Sequence, residues 1–265
     1  EERRKVPGIN PDQADIIIAG AAIIDTMMGE LELDSIRISE RGLRDGLLVE
    51  YLTTQSGVYP VEASFRAQSI VRLGRALGFD EEHGRHIADL SLQLFDSSRE
   101  HKLHKLGSHE RELLEYSALL HDVGVSLSYS NHQAHSYYFI RNAELLGFNE
   151  NEISIMAATT LFHRKRYPKK KHPEYAALGK KSRRTVRYLS VFLGIAESLD
   201  RSHQQLVREV LLEPKGKKKA LLTLFSSHEI PLEMWGVEYH RSAFKKVFDR
   251  KLKVRRVDPA ARGAA

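Results

Sequence analysis

The chain contains no cysteine, only four methionines and a single tryptophan in 265 residues. Without thiols it can form no disulfide, no zinc–thiolate site and no cysteine nucleophile, so any bound metal must rely on nitrogen and oxygen ligands. The lack of cysteine also fits a cytosolic setting. No apolar run reaches the roughly 18 residues of a membrane span; residues 16–24 come nearest and are too short. No signal-peptide pattern is visible. An initiator methionine is missing as well, since the chain opens on Glu1, which points to a fragment, a processed product or an incomplete sequence. What is present is 42% apolar residues, enough at this length for one sizeable core with an appendage or for two modest domains.

Helical periodicity dominates the stretch from 61 to about 205. The spacing predicts helices near 61–77, 80–98, 109–122, 135–146, 150–163 and 183–200, punctuated by Gly78, Gly107, Gly124 and Gly147. Residues that can do chemistry fall on the apolar faces of these helices. Leu114, Ala118 and His121 share a face, with Asp122 one step round at the helix end. His83, Ile87, Leu90 and Leu94 form one stripe, and the stripe Val186, Leu189, Leu193, Ala196 ends on Asp200. His135 shares a face with Phe139, His163 shares one with Met156 and Thr159, and His132 lies just before His135. Any one of these histidines alone fits a hydrogen-bonded core residue, and Asp200 alone fits a helix end beside Arg201. Their succession along consecutive helices points instead to a nitrogen and oxygen site for a divalent cation, which would offset the cost of burying the carboxylates.

The order His83, His121-Asp122, Asp200 resembles the HD superfamily of metal-dependent phosphohydrolases, an all-helical fold named for its His-Asp pair. More narrowly, Leu119-Leu120-His121-Asp122-Val123-Gly124, His135-Ser136-Tyr137-Tyr138, Phe162-His163-Arg164-Lys165 and Ser198-Leu199-Asp200-Arg201-Ser202 resemble the C-terminal region of the exopolyphosphatase/guanosine pentaphosphate phosphatase family. The resemblance implies a mainly α chain with an HD-type helical domain over residues 53–208. Residues 1–52 would be the end of the family's actin-like α/β phosphatase domain, because segments 15–21 and 39–46 are similar to it. The phosphate-binding glycine loops and catalytic acid of that domain would then lie upstream. By the same resemblance, His83, His121, Asp122 and Asp200 would bind Mn, Fe, Co, Ni, Zn or Mg, and His135 and His163 would hold a second metal or stabilise phosphoryl charge.

The flanks have patterns of their own. Asn10 and Pro11 look like the cap and first residue of a helix over 14–28; a short strand at 35–39 and a helix at 40–52 follow. Residues 53–60 are polar with Gly57 and Pro60, which suits a linker. Beyond Arg208 the periodicity changes. Residues 210–214 and 220–225 form a predicted hairpin around a lysine-rich turn, 232–248 an amphipathic helix packing through Trp235, Tyr239, Ala243 and Val247, and 252–257 a last strand before a disordered tail. These make a small α+β unit over 209–265.

Charge is unevenly placed. Residues 164–187 hold eleven Lys and Arg against the single acid Glu174, while the whole chain is only +6. The plain reading is a solvated connector broken by Pro168 and Pro173. The functional reading is an anion-gathering surface made by Arg164, Lys165, Arg166, Lys169, Lys170 and Lys171 together with His132, next to the metal. Aromatic interleaving is limited to Tyr167 and Tyr175, so polyphosphate or a phosphorylated guanine nucleotide is favoured over DNA. Two roles follow from the resemblance: a metal phosphohydrolase, or a non-catalytic module that binds polyphosphate or nucleotide and supports homodimerisation of the parent phosphatase.

Overall fold

A computed structural model describes residues 14–36, 65–164 and 167–260, with Val6, Asp12, Arg44 and Leu47. The linker at 53–60, the helix cap at Asn10 and nearly all of the expected strand and second helix at 35–52 lie outside the described residues, as do Lys165, Arg166 and the last five residues. The chain divides into two compact units, residues 1–60 and 61–265. In the first, helix α1 (Ile17–Glu30) is apolar on most sides, and Ile17, Ile18, Ile23, Ile24 and Met27 are exposed. No helix among the described residues is long and apolar enough to cross a membrane.

The second unit is built on α2 (Phe65–Ala76), α3 (Glu81–Glu100), α4 (Ser108–Leu119), α5 (His132–Asn142), α6 (Glu150–Leu161), the single turn α7 (Pro173–Ala176) and α8 (Lys180–Leu199). Local chemistry sets the helix starts. The Asp80 side chain accepts from the His83 backbone N–H at 3.0 Å, and Glu81 and Glu82 favour the positive end of α3. Asn149 and Glu152 exchange side-chain to backbone bonds of 3.0 and 2.8 Å, a complete capping box for α6. The long helices α3 and α8 pack against each other, with α4 on α3 and α6 on α8. Their facing stripes, Ile87, Leu90 and Leu94 against Val186, Leu189 and Leu193, are wholly buried.

After α8 come β1 (Glu209–Pro214), β2 (Lys219–Phe225), α9 (Pro231–Glu238), α10 (Arg241–Phe248) and β3 (Lys251–Val257). The sheet order is β1-β2-β3, antiparallel between β1 and β2, as a hairpin requires, and parallel between β2 and β3. Leu212 faces Leu222, which faces Val254. β1 lies on α3, where Gln93 Oε1 and Ser97 Oγ accept from the backbone N–H groups of Val210 and Leu212 at 2.8 and 3.1 Å. An otherwise open strand edge is thereby closed, and Val210, Leu212 and Leu222 join the core of the helices. The chain is thus mainly helical with a small sheet, as expected.

One expectation needs correction. The amphipathic helix over 232–248 is two helices, broken at Tyr239 and His240, and Trp235 and Tyr239 are 49% and 65% exposed. The break turns the His240 ring inward, and Val237, Phe244 and Phe248 enter the core, with the expected Ala243 and Val247 packed against it half-buried.

His104 is a core histidine with no ligand role. Its Nε2–H donates to the Phe95 carbonyl at 3.0 Å, and its Nδ1 accepts from Leu106 N–H at 3.1 Å, so the neutral ring is satisfied on both sides. Burial lowers its pKa below the ordinary 6.5. Above that pH neither folded nor unfolded chain protonates this ring; below it only the unfolded chain does. Stability is therefore expected to fall as pH drops below 6.5, with His104 contributing a slope of up to about 1.4 kcal/mol per pH unit. Urea titrations between pH 7 and 5 on wild type and His104→Gln check this: equal slopes would remove His104 as the cause.

Candidate metal centre

His121 follows the last turn of α4, and Asp122 opens a 3-10 turn, Val123–Ser126. The glycine after them is a steric requirement. A Cβ on Gly124 would lie 2.2 Å from the His132 carbonyl oxygen and 2.4 Å from the Ser136 nitrogen. Ser136 Oγ bonds both sides of this junction, accepting from Gly124 N–H at 2.9 Å and donating to the His121 carbonyl at 2.7 Å. The start of α5 is thus pressed onto the His-Asp turn, which brings His132 to Asp122. A second glycine acts in the same way on α8. A Cβ on Gly194 would lie 2.3 Å from the His163 carbonyl oxygen and 2.5 Å from the His240 ring, so only glycine lets the end of α6 bring His163 to the turn that carries Glu197.

Three buried histidines share one orientation. The Nδ1–H of His121, His132 and His163 donates to the carbonyl three residues earlier, on Ala118, Tyr129 and Thr160. With Nδ1 committed to the backbone, each Nε2 carries the lone pair that a metal would take. His83 is oriented by a carboxylate instead: Asp200 Oδ2 accepts from its Nδ1 at 2.8 Å, while Asp200 Oδ1 accepts from Gln205 N–H at 2.7 Å.

The Nε2 atoms meet carboxylates. Glu197 Oε2 lies 2.9 Å from His121 Nε2 and 3.4 Å from His83 Nε2, and Asp122 Oδ1 lies 2.9 Å from His132 Nε2 and 3.6 Å from His121 Nε2. His163 Nε2 is shut off from water without a hydrogen-bond partner, and His83 Nε2, equally shut off, has the Glu197 carboxylate within ion-pair range but makes no hydrogen bond to it. His121 therefore has an acceptor at both ring nitrogens, and so does His83. That arrangement repels unless each ring carries a second proton or a cation sits between ring and carboxylate.

The charges follow from this packing. Burial opposes protonation of His83, but Asp200 and Glu197 outweigh it and push the ring up to about 10. Burial likewise opposes the charge on His121, and Asp122 and Glu197 raise it. Burial would raise Asp122 and Glu197, yet His121, with His132 beside Asp122, holds both well below the usual carboxylate range. Burial and the neighbouring His121 charge lower His163 to about 4, leaving a neutral ring. The raised proton affinity of His83 and His121 sets protons against any divalent cation for the same nitrogens, so uptake of a metal there would release protons and weaken as pH falls.

Three sets of residues bring ligand atoms within 4.8 Å of one another: His83, His121, Asp122 and Glu197; Asp122, His132 and His163; and His83, Asp200 and His203. Residues 65–234 match the family described as Ppx/GppA phosphatase, domain III, and residues 1–55 match the Ppx/GppA phosphatase family. The chain belongs to the Ppx/GppA phosphatase family. In this member His83, His121 and Asp122 lie together with Glu197, a carboxylate the sequence reading did not single out. Asp200 lies on the other nitrogen of His83, where it groups with His83 and His203. Expected on the anion-binding side, His132 joins His163 at Asp122. His135 enters none of the three sets; its Cβ packs at Gly124 instead. Arg164 reaches the centre, with Nη1 3.3 Å from both nitrogens of His132 and therefore over the ring face. Lys169, Lys170 and Lys171 are exposed, and the first two line a different cavity.

Proposed function

We propose that the helical unit of this Ppx/GppA family chain is an HD-type divalent-metal centre acting on phosphoanhydride or phosphoester groups, with polyphosphate or guanosine polyphosphates as the substrate class. The observation that carries this reading is the double acceptor environment of His83 and His121, with Glu197 and Asp122 converging on the same space. His83, His121, Asp122 and Glu197 would hold the ion, and Asp200 would fix the ring of His83. The oxygen and imidazole set suits Mn, Fe, Co, Ni or Zn better than Mg, which prefers oxygen ligands alone. A divalent ion there supplies Lewis acidity toward a phosphoryl oxygen. His163 and His132 face the other edge of Asp122, where they can hold a second ion or stabilise charge on the phosphoryl group. Arg164, over His132, adds a fixed positive charge at the same edge.

Metal analysis of the purified chain, paired with phosphate release from tripolyphosphate and guanosine pentaphosphate, tests the reading. Bound transition metal is expected, with metal-dependent phosphate release that disappears in Asp122→Ala. His121→Ala should lower metal content and melting temperature together, because the carboxylates it faces stay buried. Protein that contains no metal and gains no stability when metal is added would rule the centre out. Bound metal with no turnover would leave a binding module.

A further inference from the structure

The break between α9 and α10 borders a small cavity. Tyr239 and His240 at the break line it together with Phe162, Arg164 and Tyr167 from the chain after α6 and Lys246 from α10. Where α8 and α10 pass closest they offer the small side chains of Ser190 and Ala243, which leave room between them. The volume is about 180 Å³. A cavity of roughly 150 Å³ already takes benzene, whereas pockets for larger ligands begin at roughly 300 Å³. One planar ring with a small substituent therefore fits, and a nucleotide or a phosphate chain does not.

The polar groups around this space are unmatched. No carboxylate lines it, and among the described residues neither Arg164 nor Lys246 has an ion-pair partner. The Lys246 ammonium stands 5.3 Å from the centre of the Tyr167 ring, and the Arg164 guanidinium 6.0 Å from that of Tyr129. Each cation is thus held near an aromatic face with its charge unanswered. His240 is the third polar group. Burial and the Arg201 charge, against the pull of Glu197, lower its ring to about 4 and leave it neutral. Among the described residues nothing hydrogen-bonds to either ring nitrogen. A neutral imidazole has one donor and one acceptor, and leaving both unmet in a buried place is unfavourable.

We infer that this cavity is a binding site for a small aromatic carboxylate, one planar ring carrying a single acid group. The ring packs on Phe162, Tyr167 and Tyr239, the acid meets Arg164 and Lys246, and a ring hydroxyl satisfies His240. A bare oxyanion would leave the aromatic walls unused, and an uncharged ring would leave both cations unanswered. Arg164 also stands at the edge of the metal centre, but no proposed metal ligand takes part, so the inference is independent of the metal reading.

Titration of the full chain with para-hydroxybenzoate tests this, with para-hydroxybenzamide and inorganic phosphate as comparison ligands. Binding is read by calorimetry and by the fluorescence of Trp235, the chain's single tryptophan, whose ring lies edge-on to Tyr239 at 4.9 Å. The carboxylate should bind saturably and change the fluorescence, with the amide and phosphate each weaker by about tenfold or more, the loss of charge-assisted contacts or of the ring's packing. Lys246→Gln, at an exposed position, should weaken carboxylate binding about tenfold at an unchanged melting temperature. Ala243→Leu, which fills the cavity, should remove binding, and Asp122→Asn should leave it unchanged. Wild-type affinity in Lys246→Gln or Ala243→Leu, binding lost in Asp122→Asn, amide or phosphate bound as tightly as the carboxylate, or no saturable binding of the carboxylate would each overturn the proposal.

Discussion

Alanine at Gly194 is expected to be among the most damaging single changes in this chain, although in a helix interior the same change normally stabilises by about 1 kcal/mol. The opposing effect is steric. The new Cβ would lie 2.3 Å from the His163 backbone oxygen and 2.5 Å from the His240 ring, and a backbone carbonyl at a helix end cannot step aside as a flexible side chain can. Overpacking of this kind exceeds the helix gain, and a net loss of about 3 kcal/mol or more is expected. Urea denaturation gives the sign directly. Gly124→Ala, whose Cβ would meet the His132 oxygen at 2.2 Å, should behave alike. In contrast, a Cβ on Gly20 in α1 meets nothing within 4 Å, so Gly20→Ala should carry no such penalty. A neutral or stabilising Gly194→Ala would mean that α6 and α8 are not pressed together as described.

The second large effect concerns Glu197. Glu197→Gln keeps the size of the side chain and removes its charge, so His83 and His121 lose the carboxylate that both face. Metal affinity should fall by about 100-fold or more, beyond the 10–100-fold typical of residues that only orient a ligand. Asp200→Asn, which disturbs only the far nitrogen of His83, should fall inside that range. Competition against a chelating dye measures both. If the Asp200 variant lost far more affinity than the Glu197 variant, the carboxylates would have exchanged roles and the ligand set would be His83, Asp200 and His203.

The helices that carry these residues could be read from the sequence because their apolar stripes are regular. His83 and Asp200 stand in line with Ile87, Leu90, Leu193 and Ala196, and buried stripes fix a helix face before any tertiary contact is known. Glu197 escaped because it sits one residue off the α8 stripe, where an acid looks like a solvated edge. The signal that could have found it is its neighbourhood: it is the only charged residue from Leu189 to Leu199, three residues after Gly194 and three before Asp200. The place of His132 was hidden for another reason. It opens α5 after Asn131 at a left-handed φ of 62°, so periodicity says nothing about it, and its meeting with Asp122 depends on how closely α5 approaches Gly124. The split of 232–248 into two helices also follows from a tertiary contact, His240 on Gly194, that overrides a continuous amphipathic pattern.

His240 on Gly194 also determines when the centre can exist. The proposed ligands His83, His121, Asp122 and Glu197 all precede Asp200, yet the wall behind His163 and Glu197 is completed by a ring supplied forty residues after Asp200, and β1 must settle on α3 by way of Gln93 and Ser97. A chain leaving the ribosome would have all its ligands in hand well before they were held in register. On the reading proposed above, metal capture thus follows the docking of residues 231–248, and a cation met earlier would find only a loose, adjustable set of side chains.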